Sequence, residues 1–493
     1  MIPRYRHEGV ALIWSDENKL LQWQNVELAV IKAKELLGIF PRGTYKKIKK
    51  NLDVVIDVEW WKKKDDEIHH DLNAFLDERL RYIPDELHQY WHAKMTSYDT
   101  EEPATSLMLL DSIEIVEQAI NVMLEILKEK ALKYQHTPMM GRSHGQVGKI
   151  QSFGKRIYDW RVNLILAKKE LQHAKTSIKF SKLSGAMGNY QGLTPKEEKQ
   201  ALAILGLKPF KGATQIMPRI IHQPLANALV MVVGALTQIA VDIKLGARSG
   251  NPICHEPFKK LQKGSSAMPH KKNTIRCENQ EGMFKAAKGF QNMLHDCMVT
   301  WEERSIEQSS PERIAWPDLF HVVMNSFKNM KRVVSGMAVF EDNMLKEIKD
   351  TLGCYASEDA KDFLKEKGAK YGLSHEDAYR IVQLAAFQAF QLQVSGKRLD
   401  MRGKGFKSVK HAEKSMLNLN FQGYGLNIKQ IIISSLRPHD ELGVTKKEVD
   451  RWKKIIAKIY AENSNINEWE KIFKPAYHLR GESVFFKQLK RQK

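Results

Sequence analysis

"LLDSIEIVEQAINVMLEIL" (residues 109–127) decides the fold class. Its apolar positions Leu109, Ile113, Val116, Ile120, Met123 and Leu127 are spaced alternately four and three. That is the period of one helical face, a continuous stripe on a helix of about five turns. The stretches 149–180, 222–248, 279–299 and 318–350 read the same way, and none shows convincing strand alternation. No repeat or low-complexity tract is present. The expected fold is all-α, with long helices that pack in bundles and often bury more surface by oligomerising.

Working outward, 493 residues at about 150 per domain leave room for roughly three domains. Helices are broken at "HTPMMGRSHGQ" (136–146), "LSGAMGNYQGLTP" (183–195) and "GSSAMPHKKN" (264–273). We divide the chain into an N-terminal helical domain (1–110), a central long-helix bundle (111–365) and a C-terminal helical domain (366–493) with a Lys-rich end. The last begins near "GLSHEDAYRIVQLAA" (372–386), and "KSVKHAEKSMLNLNFQGYGLNIKQ" (407–430) reads as an insertion.

A hydrophobic content of 43% with 28% charge is that of a folded soluble protein. Lys and Arg exceed Asp and Glu by 78 − 58, a net charge of +20, which favours anionic partners without naming them. The runs "KKIKK" (46–50), "WWKKK" (60–64) and "FKQLKRQK" (486–493) lack an RNP-like aromatic motif. They read as solvated helix faces rather than a nucleic-acid surface. Cys254, Cys277, Cys297 and Cys354 are scattered, as befits reduced thiols in a cytosolic protein. The N-terminus has no apolar run of signal-peptide length, so a cytoplasmic location is expected. "LANALVMVVGALTQIAVDIKLG" (225–246) approaches membrane-spanning length, but Asn227, Thr237, Gln238, Asp242 and Lys244 interrupt it. A helix buried in a bundle explains it better than a membrane span.

No metal-ligand cluster, P-loop or dinucleotide fingerprint is found, and "GRSHGQVGK" lacks both the preceding strand and the required spacing. We expect no metal ion or cofactor. Chemistry is left to the polar loops, and 264–273 is the richest of them. Gly264 and two serines allow backbone conformations that larger residues resist, so the loop can open and close. A serine held by backbone N–H donors and a cation, away from solvent, can exist as the alkoxide and abstract a proton. Lys271 supplies the cation, Asn273 an amide, and Glu278 follows at a helix start. On composition alone the loop reads equally as a solvated Ser/Lys linker.

"GSSAMPHKKN", followed by Glu278, resembles the signature loop of the fumarase/aspartase superfamily, G-S-S-x-M-P-x-K-x-N and then Glu. Seven fixed positions agree over ten residues. Members cleave C–N or C–O bonds by β-elimination and release fumarate. Within the superfamily the chain is most similar to the adenylosuccinate lyase family, with matching segments from Arg4 to about Gln383. "RYRHEGVALIWSDENKLLQWQNVELA", "HHDLNAF", "TPMMGRSHGQ", "KLSGAMGNY", "TQIMPR" and "WEERSIEQSSPERIAWPD" carry the narrower likeness.

The resemblance implies a three-domain fold with a central long-helix bundle, and a homotetramer in which three subunits contribute to each site. It also implies roles. His144 would protonate the departing nitrogen, with Glu278 tuning it. Ser265 would take the proton from the carbon beside the C–N bond. Lys271 and Asn273 would hold the succinyl carboxylates, assisted by Thr96 and Ser97. Arg4, Tyr5, Arg304, Ser309 and Arg313 would hold the nucleotide phosphate. His70 and His92 would sit beside substrate, and Gln215 and Arg219 would line the pocket. Arg forks suit such a nucleotide dicarboxylate, and a His near neutrality with a cation-supported Ser supplies acid and base without a metal.

Some positions depart from the family pattern. Lys94 stands where Gly is usual, Tyr98 where Ser or Thr is, and "TEEPA" where "VVDTA" is common. "PRI" replaces "QRD", losing an acid at Ile220. Glu302 and Gln308 replace histidines, and Thr274 a proline. The changes spare the proposed acid and base and gather near nucleotide-contacting motifs. The implied reaction is cleavage of adenylosuccinate to AMP and fumarate, and of the succinocarboxamide ribotide of purine synthesis to its carboxamide. Alternatives are elimination from another succinylated substrate, such as argininosuccinate or a modified nucleotide, and nucleic-acid binding on a lyase scaffold. Ser309 and Arg313 favour a phosphate-bearing substrate. "SSPE" also reads simply as a helix start, Ser at the cap and Pro in the first turn.

Overall fold

The structure is a computed structural model that describes residues 1–393 and 426–491. The proposed insertion at 407–430 lies outside the described residues except for its last five. The chain forms two compact units. Unit 1 comprises Met1–Leu127, Trp160–Gly246 and His255–Ala338. Unit 2 comprises Lys128–Asp159, Ala247–Cys254 and the described residues from Val339 onward.

Unit 1 is helical. Helices α1 (Glu8–Ile13), α2 (Asp16–Leu36), α3 (Thr44–Asn51), α4 (Val58–Ile68) and α5 (Asp71–Leu80) lead into α6 (Ser97–Lys133). Ser15 caps α2, its Oγ accepting from the Asn18 N–H at 3.2 Å. Leu20, Trp23, Phe75, Trp91, Leu183 and Leu193 share one apolar cluster. In α3 all four lysines of "KKIKK" are exposed while Ile48 is buried, so the run is a solvated face. Along α6 every residue of the stripe from Leu109 to Leu127 is buried, the helix period carried into packing. This helix runs unbroken through residue 110.

The rest of the bundle is α7 (Phe153–Ile178), α8 (Pro195–Ile204), α9 (Gln223–Gly246), α10 (Ile275–Asp296) and α11 (Ser309–Gly336). With the residues just before it, α9 is long and apolar enough to cross a membrane. Yet the polar residues that interrupt it all find partners. Asn227 Oδ1 lies 3.0 Å from His295 Nε2, and Thr237 Oγ1 donates to the Val233 carbonyl at 2.8 Å. Gln238 donates to Asp242 at 3.1 Å, Asp242 accepts from Trp160 Nε1 at 2.6 Å, and Lys244 pairs with Glu281. Asn227 and Gln238 are exposed, Asp242 and Lys244 half-buried, and the buried Thr237 is matched within its own helix, as in the packed helix of a bundle.

Unit 2 holds a β-hairpin, β1 (Pro138–Ser143) with β2 (Gln146–Ser152), where helix had been expected from residue 149. The reason is local. His144 and Gly145 form a two-residue turn with φ of 52° and 77°, and two positive φ values are what a type I′ hairpin turn requires. A bulge follows Met140, where a Cβ on Gly141 would stand 2.8 Å from the Lys149 carbonyl oxygen. The predicted helix over 318–350 is likewise divided, since Met337–Phe340 separates α11 from α12 (Glu341–Asp350). Then come α13 (Ser357–Gly368), α14 (His375–Gln393), α15 (Lys446–Tyr460), α16 (Asn463–Ile472) and α17 (Ser483–Arg491). Their core includes Leu364, Ile381, Leu384, Trp452 and Trp469. At the start of α14, Ser374 Oγ accepts from the Asp377 N–H at 2.9 Å.

Candidate active site

The loop 264–273 folds back on itself. The Ser265 N–H donates to the Lys271 carbonyl at 3.1 Å, and the Lys271 N–H to the Met268 carbonyl at 2.9 Å. Ser265 Oγ accepts from the Met268 N–H at 3.2 Å. Only glycine fits at the start of this turn. A Cβ on Gly264 would stand 2.6 Å from the Lys271 carbonyl oxygen and 2.9 Å from that of Pro269. Ser265 is half-buried, and the exposed Lys271 has no carboxylate partner among the described residues.

The root of the loop is pinned by a residue outside it. Thr274 stands at the N-cap of α10 but makes no side-chain capping bond. Instead the buried Glu256 carboxylate accepts from the Arg276 and Cys277 N–H groups, each at 3.1 Å. A carboxylate there satisfies orphan donors and opposes the helix dipole. His255 adds a tie, with Nε2 3.1 Å from the Lys272 carbonyl oxygen. Asn273 is half-buried just before the helix, and Glu278 is exposed on its first turn.

A cavity of about 320 Å³ in unit 1 gathers Tyr98, Arg219, Ser309 and Arg313, which come from distant parts of the chain. Beside it, the Arg304 guanidinium lies over the Tyr98 ring, 4.0 Å from its centre, and Nη1 donates to Gln215 Oε1 at 3.2 Å. A ring beneath and an amide alongside fix the orientation of the fork. Arg313 Nη2 donates to Asp71 Oδ2 at 3.1 Å. Ser309 opens α11 and donates Oγ–H to the Ile306 carbonyl at 2.8 Å. The cap position itself belongs to Gln308, one residue before the serine expected there, and its side chain makes no capping bond.

The same cavity is rich in acids, with Asp16, Asp71, Glu101, Glu102 and Glu312 facing Lys19, Arg219 and Arg313. Burial, then the charge of Asp71, pushes Glu101 up to about 7. Burial also raises Glu312 to about 7 against the pull of Arg219. Arg219 is almost wholly buried, and its guanidinium is occupied. Nη1 lies 2.7 Å from Glu102 Oε1, and Nε lies 2.8 Å from Glu312 Oε1. These two carboxylates supply the counter-charge, whereas Ile220, where the family pattern has an acid, is exposed. The buried His222 ring is held down to about 3, by burial and then by the Arg219 charge.

Thr96 and Ser97 sit at the start of α6. The Thr96 N–H donates to Asp99 Oδ2 at 3.1 Å, and Asp99 Oδ1 pairs with Lys182 Nζ at 2.8 Å. Lys182 is fully buried and also donates to the carbonyls of Gly185 and Gln215, each at 2.9 Å. One lysine thus ties the Thr96 turn to the Gln215 loop. His92 Nδ1 lies 2.7 Å from Glu27 Oε1, which also accepts from Thr100 Oγ1 at 2.6 Å. Burial disfavours the charged ring, but the charge and hydrogen bond of Glu27 outweigh it and raise its pKa. Lys94, where the family carries Gly, keeps the left-handed backbone that glycine favours, with φ 62°. His70 is exposed and caps α5, its Nδ1 accepting from the Asn73 N–H at 3.3 Å.

Arg4 and Tyr5 line a second cavity of unit 1, of about 690 Å³, together with Asn279. Asn279 Nδ2 donates to the Tyr5 hydroxyl oxygen at 3.3 Å. The residues expected to share one phosphate therefore line two cavities, Arg4 and Tyr5 in one, Ser309 and Arg313 in the other. His144 belongs to unit 2, exposed at the tip of its hairpin. The sequence assigns no role to Glu27, Asp99, Lys182 or Glu256, although Glu27 and Lys182 stand inside stretches that carry the family likeness. The partnerships of Glu27 with His92 and of Asp99 with Lys182 join positions far apart along the chain, which motif spacing does not reveal.

A family model described as "Lyase" matches residues 11–289. The adenylosuccinate lyase of Thermotoga maritima is 35% identical over 390 residues, covering 79% of this chain and 89% of that protein. That of Aquifex aeolicus is 34% identical over 392 residues, with the same two coverages. In fold, the chain is similar to a fumarate lyase from Mesorhizobium sp. BNC1, with a TM-score of 0.76 at 17% identity over 99% of both chains. It is also similar to the β-carboxy-cis,cis-muconate cycloisomerase of Acinetobacter calcoaceticus, with a TM-score of 0.75 at 18% identity over 99% of this chain and 98% of that one.

Proposed function

The chain belongs to the lyase family and within it to the adenylosuccinate lyases, and we propose that it cleaves adenylosuccinate to AMP and fumarate. The succinocarboxamide ribotide of purine synthesis is proposed as a second substrate. The observation that carries the reading is the closed turn at 264–273, which sets Ser265 and Lys271, without a carboxylate partner among the described residues, in one small, donor-rich loop.

In this reaction Ser265 Oγ, as the alkoxide, takes the proton from the carbon beside the C–N bond and becomes the hydroxyl. The electron pair left behind becomes the new C=C bond of fumarate, and the C–N pair departs with the nitrogen. His144 protonates that nitrogen, so atoms and charge balance without a metal or cofactor. Lys271, Asn273, Thr96 and Ser97 hold the succinyl carboxylates, on which negative charge builds. Arg304, oriented by Tyr98 and Gln215, takes the phosphate with Arg4, Tyr5, Ser309 and Arg313. Glu278, His70, His92, Gln215 and Arg219 complete the proposed set.

With Arg4 and Tyr5 lining one cavity and Ser309 and Arg313 another, the proposed sharing of one phosphate calls for a second copy of the chain to bring one of the two sets. This supports a homotetramer with shared sites. We also propose a cytoplasmic location and domain limits near 110 and 365. The acid-rich cavity around Arg313 favours one alternative, elimination from a succinylated substrate less anionic at that end. Incubation with adenylosuccinate, followed by separation of products, tests the reading. Equimolar AMP and fumarate support it, and intact substrate beside cleavage of another succinylated compound replaces it with the alternative.

A further inference from the structure

The cavity that holds Arg4 and Tyr5 carries more positive charge than one phosphate needs. Its walls bear five cations, Arg4, Lys259, Arg276, Lys328 and Arg332, against the single carboxylate of Glu256. That carboxylate is already spent on capping α10. None of the five cations has a carboxylate within ion-pair distance among the described residues. A phosphoryl group carries about −1.5 to −2, so one such group leaves most of this charge unmatched, whereas two adjacent groups come close to balancing it.

The geometry supports a built site. Lys328, Asn329 and Arg332 stand three, four and seven positions after Asn325 on α11, which puts all four on one face, turned to the cavity. Arg276 and Asn279 face it from α10 in the same way. A chain of side-chain bonds links these walls. Asn279 Oδ1 accepts from Asn329 Nδ2 at 3.0 Å, while Arg276 Nη1 lies 3.5 Å from Asn329 Oδ1. Asn325 is 7% exposed, and its Nδ2 has no hydrogen-bond partner among the described residues. A buried amide donor lacking an acceptor costs free energy unless something fills the site, and an anionic oxygen is the acceptor that its cationic neighbours would attract.

We propose that this cavity binds a diphosphate group, one phosphoryl on Arg4 and Tyr5 and the next on Lys328, Arg332 and Asn325. The inference rests on the reading above in that Arg4 and Tyr5 serve both. It goes further in making nucleoside di- and triphosphates, or free diphosphate, competitors for the monophosphate substrate.

Calorimetric titration of the full-length protein with inorganic diphosphate and with inorganic phosphate tests the proposal. Diphosphate is expected to bind at least about ten-fold more tightly, with the advantage shrinking as salt is added. The double variant Lys328→Ala/Arg332→Ala should lose that ratio and keep its fumarate release from adenylosuccinate. Equal affinities in the unaltered protein overturn the proposal, as does a ratio that survives in the double variant. In a second arm, ADP binding more tightly than diphosphate supports the site with a nucleotide as its source of diphosphate. Diphosphate matching or exceeding ADP supports it with the free anion. Loss of the proposed function would show separately as absent fumarate release with diphosphate binding intact.

Discussion

The guanidinium of Arg304 lies 4.0 Å from the centre of the buried Tyr98 ring and is steadied by Gln215 at 3.2 Å. A residue that departs from the family pattern thereby orients one that keeps it. Cation–π contacts contribute about 0.5 to 2 kcal/mol depending on desolvation. Tyr98→Ser should therefore raise KM for adenylosuccinate by about 2- to 30-fold with kcat little changed, and Tyr98→Phe should stay close to the unaltered protein. Steady-state kinetics of the two variants checks this.

Gly264 marks a second dependence. A Cβ there collides with the carbonyls of Lys271 and Pro269, both backbone atoms that cannot step aside alone. Gly264→Ala should leave thermal stability almost unchanged, because the loop is largely exposed. Turnover should fall by about 10²-fold, the order of loss expected when catalytic groups are displaced by about 1 Å. Paired measurements of melting temperature and fumarate release separate the two effects.

Arg219 is held between Glu102 and Glu312, and its removal strands two carboxylates in the interior. Arg219→Met should cost about 3–5 kcal/mol of stability, the usual loss when one partner of a buried ion pair is removed. Replacing both acids by Gln in the same variant should restore most of it. Urea unfolding followed by circular dichroism reads both.

His222 makes a pH prediction. Its folded pKa is about 3 against 6.5 for the free side chain. Between those values the unfolded chain binds the extra proton, so stability is lost as pH falls through this window. The contribution is about 1.4 kcal/mol per pH unit below 6.5. His222→Gln should have a shallower acid limb than the unaltered protein, and unfolding curves at pH 7, 6 and 5 give the comparison.

How much of this could be read in the sequence depended on range. The α6 stripe was legible because helix period writes burial directly into spacing, and every stripe residue from Leu109 to Leu127 is buried. The signature loop was legible because its residues act within ten positions of one another. The hairpin at 138–152 was not, since "PMMGRS" shows no alternation and the turn depends on His144 accepting positive φ. The acids that organise the site were hidden for another reason. Glu27 and His92 are 65 positions apart, and Glu102 and Arg219 are 117 apart. Such pairs exist only once the bundle has formed. The separation of Arg4 and Tyr5 from Ser309 and Arg313 into two cavities was equally invisible to motif reading, because a motif carries no coordinates.

The most direct measurement is fumarate release from adenylosuccinate by the full-length protein beside its Ser265→Ala variant. Loss of a positioned general base costs about 10²–10⁴-fold in rate. The account predicts steady release by the unaltered protein and a fall of that order in the variant, with substrate binding retained. Release that persists undiminished in the variant, or no release from the unaltered protein, would contradict it.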